Sequence, residues 1–177
     1  MYKNIVLVGF MGAGKTTIAS LLAEKLKRKY VSTDDMIIHK ERTSISVIFK
    51  QKGEPYFREL EREIVSKLSR QGGLVIDCGG GIVLQEENII DLKKNGIIIF
   101  LKASADAVHE RTKKTTHRPL LRVANPRQKI EELLVKREPY YKQADLTIDT
   151  SAKTADEVVH GILCLIQYGE RRRSSRS

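Results

Sequence analysis

The chain has 177 residues, with 32 Lys and Arg against 22 Asp and Glu, a formal net charge of +10 at pH 7 and a pI near 9.6. Apolar residues at 41% and charged residues at 31% exclude wholesale disorder and suffice for one buried core. No apolar stretch approaches the roughly 18 residues of a membrane span, no signal-peptide pattern opens the chain, and Cys78 and Cys164 are too few for a disulfide framework, so a cytoplasmic protein with no membrane partner is expected.

Short β-branched runs alternate along the chain with longer amphipathic segments. Asn4 to Val8 predicts the first strand, and the stripe Ile18, Leu21, Leu22 and Leu26 predicts the helix after it. Tyr30 to Thr33 is a short second strand. From Asp35 to Arg70 no strand signal occurs, and the segment reads as successive helices punctuated by Gly53 and Pro55. Val75 to Cys78 and Ile97 to Leu101 are the third and fourth strands. Lys113 to Pro126 is polar, basic and poorly periodic, which suggests a flap. Leu146 to Asp149 is the fifth strand. The last helix carries Ala155, Val158, Val159, Ile162, Leu163 and Ile166 on one stripe, opened by a capping box from Thr154 to Glu157. Cys164 reads as core of that helix, and Cys78 as a buried thiol. Alternating strands and helices predict an α/β fold: a five-stranded parallel sheet flanked by helices, with a helical insertion at about 35–70 and a lid at about 113–125. One domain is expected over 1–168, followed by a basic disordered tail over 169–177.

Gly9-Phe10-Met11-Gly12-Ala13-Gly14-Lys15-Thr16 matches the phosphate-loop pattern G-x-x-x-x-G-K-[ST]. Glycines let backbone N–H groups close on phosphate oxygens, and the helix that follows turns its positive end to the same point. The pattern sits between an apolar strand and an amphipathic helix, as nucleotide binding requires. Gly12, Ala13, Gly14, Lys15, Thr16 and Thr17 are therefore expected on the nucleotide phosphates, with Lys15 reaching the β- and γ-phosphates and Thr16 binding Mg²⁺. No guanine-selective N-K-x-D is evident, and the chain is short for a motor, so a compact small-molecule kinase fits best.

A kinase of this type also needs an acid to orient the acceptor hydroxyl, cations for an anionic acceptor, and a cover against water. Asp34 and Asp35 follow the second strand, at the sheet edge where open α/β folds bind ligands. Arg58 lies in the insertion, Gly79-Gly80-Gly81 follows the third strand, Arg118 lies in the lid and Arg137 in the next helix. From spacing alone, Arg58 pairing on the surface with Glu54 or Glu61, and Arg137 with a nearby acid such as Glu138, are equally open.

Six segments together (GFMGAGKTT, STDDMI, FRELE around Arg58, GGG at 79–81, HRPLL around Arg118 and KREPYY around Arg137) resemble the shikimate kinase family, from about Asn4 to Ile166. The resemblance implies a P-loop kinase fold and ATP-dependent phosphorylation of the 3-hydroxyl of shikimate, in chorismate and aromatic amino-acid biosynthesis. It implies that Asp34 holds the acceptor hydroxyls, as a base or by positioning, and that Arg58 and Arg137 hold the substrate carboxylate. The Gly80 and Gly81 backbone would approach the substrate, Arg118 would close over the ATP phosphates, and Lys153 would lie near the adenine.

One position departs from the family pattern. Ser32 stands where the family usually carries an Asp that supports Mg²⁺. Asp77, at the end of the third strand, is the candidate replacement, so Thr16 and Asp77 are expected to serve the metal with Ser32 behind them. An Asp that merely orders the glycine turn is the plainer alternative.

The four histidines show no metal-ligand spacing. The last seven residues hold four arginines and no acid, so without them the net charge falls from +10 to +6. No aromatic residue is interleaved there, which argues against a nucleic-acid partner. ATP and shikimate are the expected partners of a monomer. A gluconate- or nucleotide-type kinase, and an inactive nucleotide-binding module, are the competing readings.

Overall fold

The apolar run Asn4–Val8 forms β1, and every residue in it is buried because successive side chains enter opposite cores. The computed structural model describes residues 3–113 and 123–174. Lys29–Ser32 is β2, Leu74–Asp77 β3, Gly96–Lys102 β4 and Leu146–Asp149 β5. They make a five-stranded, wholly parallel sheet in the order β2-β3-β1-β4-β5. Ile5 and Leu7 pack into one core with helices α1 (Lys15–Leu26) and α7 (Ala155–Ser174). Val6 and Val8 pack into the other, which holds Phe57, Leu60 and Ile64 of α3 (Ile45–Leu68) and Ile89 and Leu92 of α4 (Glu86–Asn95).

β1 lies between β3 and β4, so the chain leaves β1 and β3 at the point where strand order reverses. Open parallel sheets bind ligands at the C-terminal edge of that point. Three connections define the edge. Residues 9–14 link β1 to α1. The 78–81 segment leads from β3 into a short 3-10 turn at Ile82–Leu84. α2 (Thr33–Glu41) starts directly from β2, its N-terminus capped by Ser32, whose hydroxyl accepts the Asp35 N–H.

The insertion is the pair α2 and α3. α3 is broken at Gly53 (φ 80°, ψ 172°), two residues before Pro55, so two helical segments meet at a kink in one element. α5 (Ala105–Thr112) and α6 (Pro126–Tyr141) flank the predicted lid. Of that lid, Lys113 and 123–125 lie among the described residues; Arg118 lies outside them.

Three expectations are corrected. The second strand ends at Ser32 and Thr33 already belongs to α2, because the Ser32 cap starts the helix there. α7 runs to Ser174, so the backbone of 169–174 is helical where a disordered tail was expected; arginine is a good helix former. Cys164 is exposed, since it falls off the buried stripe of Val158, Val159, Ile162 and Ile166. Cys78 is buried as expected. The capping box forms: Thr154 N–H donates to Glu157 Oε2 at 2.7 Å, and Glu157 N–H to Thr154 Oγ1 at 3.3 Å. Among the described residues no helix is long and apolar enough to cross a membrane.

Candidate active site

The phosphate loop turns into α1 through Gly14, whose φ of 88° is a left-handed conformation that suits glycine. Lys15 folds back over the loop, its Nζ donating to the carbonyls of Gly9 at 3.0 Å and Phe10 at 3.2 Å. The Thr16 hydroxyl donates to Asp77 Oδ2 at 2.7 Å, and the Tyr30 hydroxyl donates to the same oxygen at 3.4 Å. Burial, followed by the Asp77 charge, pushes the Tyr30 hydroxyl up to about 12, so it remains a donor. Ser32 is the cross-strand partner of Asp77, and its oxygen accepts the capping bond of α2.

Asp34 sits in the first turn of α2, beside the glycine turn. Its carboxyl is held above the usual carboxylate range, chiefly by burial; Lys15 pulls it back down, while Asp77 and Asp35 add to the rise. The turn itself is tied to α2: Gly79 N–H donates to Thr33 Oγ1 at 2.9 Å. A Cβ at Gly79 would collide with the Asp34 carboxylate, and one at Gly81 with the Arg58 guanidinium. Only glycine lets both side chains close on this turn.

Arg58 is gripped by two acids of its own helix. Its Nε and Nη2 donate to Glu54 Oε1 at 3.2 and 2.8 Å, and its Nη1 pairs with Glu61 Oε2. The plainer reading of Arg58 as a paired side chain is thus realised, but one partner is not on the surface: Glu61 is 1% exposed. Burial there outweighs the attraction of Arg58 and pushes the Glu61 carboxyl up to about 7. Arg137 does not pair with Glu138. It reaches the Gly80 carbonyl at 3.4 Å and lies over the Phe10 ring at 5.5 Å. Phe49 and Phe57 of α3 are in ring contact, with centroids 4.7 Å apart.

Lys15, Asp34, Arg58, Gly79–Gly81 and Arg137 therefore come together at the C-terminal ends of β1 and β3. Lys153 lies exposed in the turn between β5 and α7; the Asp149 carboxyl there is held low chiefly by hydrogen bonds from Ser151, with the Lys102 and Lys153 charges adding to it. Three participants escaped the sequence reading. Glu61 was seen only as a surface partner. Tyr141 anchors the glycine turn, its hydroxyl donating to Gly80 O at 2.9 Å. Arg111 ties the phosphate loop to the segment after β5 through Gly12 O at 3.3 Å and Thr150 O at 2.6 Å, and the Thr150 hydroxyl reaches Ala13 O at 3.2 Å. The Tyr141 and Arg111 contacts leave no local signal, because their partners lie far apart in the chain, and the Glu61 spacing to Arg58 does not tell of its burial.

A phosphate loop on β1, a carboxylate on the adjacent strand bonded to the loop threonine, and an acid and two arginines across the crevice define a P-loop kinase, an ATP-dependent phosphotransferase. The family model for shikimate kinase matches residues 11–167. The chain belongs to the shikimate kinase family. The shikimate kinase of Thermodesulfovibrio yellowstonii is 47% identical over 161 residues, which are 91% of this chain and 93% of that one. Among solved structures, the shikimate kinase of Acinetobacter baumannii in complex with shikimate superposes with a TM-score of 0.90 at 39% identity, covering 96% of this chain and 95% of that one. The shikimate kinase of Aquifex aeolicus gives a TM-score of 0.79 at 34% identity over 94% and 98% of the two chains.

Proposed function

We propose that the chain transfers the γ-phosphoryl group of ATP to the 3-hydroxyl of shikimate, giving shikimate 3-phosphate and ADP. The observation that carries this reading is the convergence of Asp34, Arg58 and Arg137 on Gly79–Gly81, beside the phosphate loop. A planar guanidinium meets a carboxylate bidentately, so Arg58 and Arg137 suit an acidic acceptor better than lysines would. To receive it, Arg58 releases the exposed Glu54 and keeps the buried Glu61. The Gly80 and Gly81 backbone contacts the acceptor.

Asp34 accepts a hydrogen bond from the acceptor hydroxyl and takes its proton as the new O–P bond forms. The bond from the γ-phosphorus to the β–γ bridging oxygen breaks, and ADP leaves. Gly12, Ala13, Gly14, Thr16 and Thr17 hold the phosphates, Lys15 offsets their charge, and Arg118 closes over them from the lid. Lys153 lies on the adenine side.

Thr16 and Asp77 are the residues that would hold Mg²⁺. Their oxygen donors are of the hard type the ion prefers, and their direct hydrogen bond is the pairing a metal-binding hydroxyl and its supporting acid require. Among the described residues no group of three or more His, Cys, Asp or Glu is placed to hold a metal. The bound ion would supply charge neutralisation at the nucleotide phosphates. In Asp77→Asn the magnesium concentration needed for half-maximal turnover, and the Mn²⁺ dissociation constant of the ADP complex read by electron paramagnetic resonance, should both rise. Unchanged values would return Asp77 to a role in ordering the turn.

The enzyme works as a cytoplasmic monomer of one domain over 1–168, with its acceptor site in the 35–70 insertion and its lid at 113–125. It has neither nucleic acid nor membrane as a partner. A coupled assay of ADP release with and without shikimate tests the whole reading. No shikimate-dependent release at saturating Mg·ATP would overturn it.

A further inference from the structure

Tyr141 closes α6 with its side chain almost wholly out of solvent, at 1% exposure. Its ring stacks on Phe100 of β4, with centroids 4.6 Å apart and planes 5° from parallel. Its hydroxyl donates to the Gly80 carbonyl at 2.9 Å, and Arg137, one helical turn earlier, reaches the same carbonyl at 3.4 Å. Two side chains of one helix thus clamp a single carbonyl of the glycine turn.

That clamp has a consequence for the next amide. The Gly80–Gly81 peptide is trans, so the Gly80 carbonyl and the Gly81 N–H point in opposite directions. With the carbonyl drawn to α6, the N–H is turned away from it. The Gly81 N–H has no hydrogen-bond acceptor among the described residues, and the Arg58 guanidinium packs against the same glycine from α3. A segment of three glycines has no side chains of its own to fix this orientation, and its backbone is conformationally permissive.

We infer that Tyr141 is a positioning residue for the acceptor site: its buried hydroxyl sets the plane of the Gly80–Gly81 peptide and so aims the Gly81 N–H, with Arg137 beside it, at the anionic acceptor. The inference rests on the proposed reading that this turn faces shikimate. A buried tyrosine hydroxyl also needs a partner for its own sake. The two roles separate by what the hydroxyl's removal disturbs. A merely structural hydroxyl affects stability, and through it both substrates alike. A positioning hydroxyl affects the acceptor alone.

The test is Tyr141→Phe in the full chain, which keeps the stacked ring, with shikimate and Mg·ADP affinities measured by calorimetry beside steady-state kinetics. Loss of one net hydrogen bond at the turn should weaken shikimate binding and raise its KM by about three- to tenfold, with ADP affinity and kcat unchanged. Native shikimate affinity in this variant, or an equal loss for shikimate and ADP, overturns the inference. Phe100→Leu keeps the hydroxyl but removes its ring partner, so shikimate affinity should stay near native there, and a loss equal to that of Tyr141→Phe overturns the inference. A Tyr141→Phe chain that does not fold would give the hydroxyl a structural role and overturn the inference as well. A native chain that binds ADP but neither binds nor phosphorylates shikimate overturns the functional reading itself, and the inference with it.

Discussion

Asp34 and Glu61 are both buried carboxyls beside the glycine turn, and burial is the largest influence on each. At Asp34 the lysine of the phosphate loop is the main counterweight, so the proposed base is tuned by the residue proposed to hold the nucleotide. At Glu61 the counterweight is Arg58, whose charge persists at any working pH, and burial still prevails. The sign of the resulting pH dependence follows. With a folded value of about 7 against 4.5 for an ordinary glutamate, the folded chain holds a proton that the unfolded chain releases. That contribution to stability is complete below about pH 4.5 and is lost as pH rises through 7, on the order of 3 kcal/mol in all. Urea midpoints of the native chain should therefore fall between pH 5 and pH 8, and Glu61→Gln should flatten the fall. Equal slopes in the two proteins would refute the assignment.

Among the elements, the glycine turn after β3 is where α2, α3 and α6 meet. Thr33 of α2 receives the Gly79 N–H, Arg58 of α3 lies against Gly81, and Tyr141 of α6 holds Gly80. Thr33 and Asp34 of α2 meet Gly79, Arg58 of α3 meets Gly81, and Tyr141 and Arg137 of α6 meet Gly80, so a methyl group at Gly79 or Gly81 acts on a named neighbour. Gly81→Ala places a Cβ inside the space of the Arg58 guanidinium, which must swing away from Glu61. We expect shikimate KM to rise about tenfold or more, as for loss of a charge-assisted contact, with ADP affinity retained. A native shikimate KM would show that Arg58 does not bind the acceptor from its present position. The strands themselves were legible in the sequence to within a residue or two, since β1 and β4 are continuous apolar runs that only a sheet covered on both faces accommodates. The kink of α3 was legible as Gly53 and Pro55. The capping of α2 by Ser32 was not, because a serine at that position reads equally well as a cap or a metal-site hydroxyl.

At the scale of the whole molecule, the folded chain is the state that binds, so ligands stabilise it by mass action. At a hundredfold excess over its dissociation constant, shikimate alone should add about 2.7 kcal/mol. For a domain of this size that is a rise of roughly 5–10 °C in Tm. Millimolar shikimate that leaves the melting curve in place would count against a preformed acceptor site.

By itself the sequence determined the parallel sheet, the phosphate-loop motif and the charged residues proposed for phosphate and carboxylate. Those properties are local: periodicity, a contiguous motif, and residue types with one dominant chemistry. Only the tertiary structure decided that Glu61 is buried rather than a surface partner, that Asp77 takes the Thr16 hydroxyl, and that Tyr141 and Arg137 share the Gly80 carbonyl. Those contacts other than the Glu61–Arg58 pair join residues 57 to 61 positions apart in the chain. Burial and orientation across such distances arise from how the helices close over the sheet edge, which no local pattern encodes.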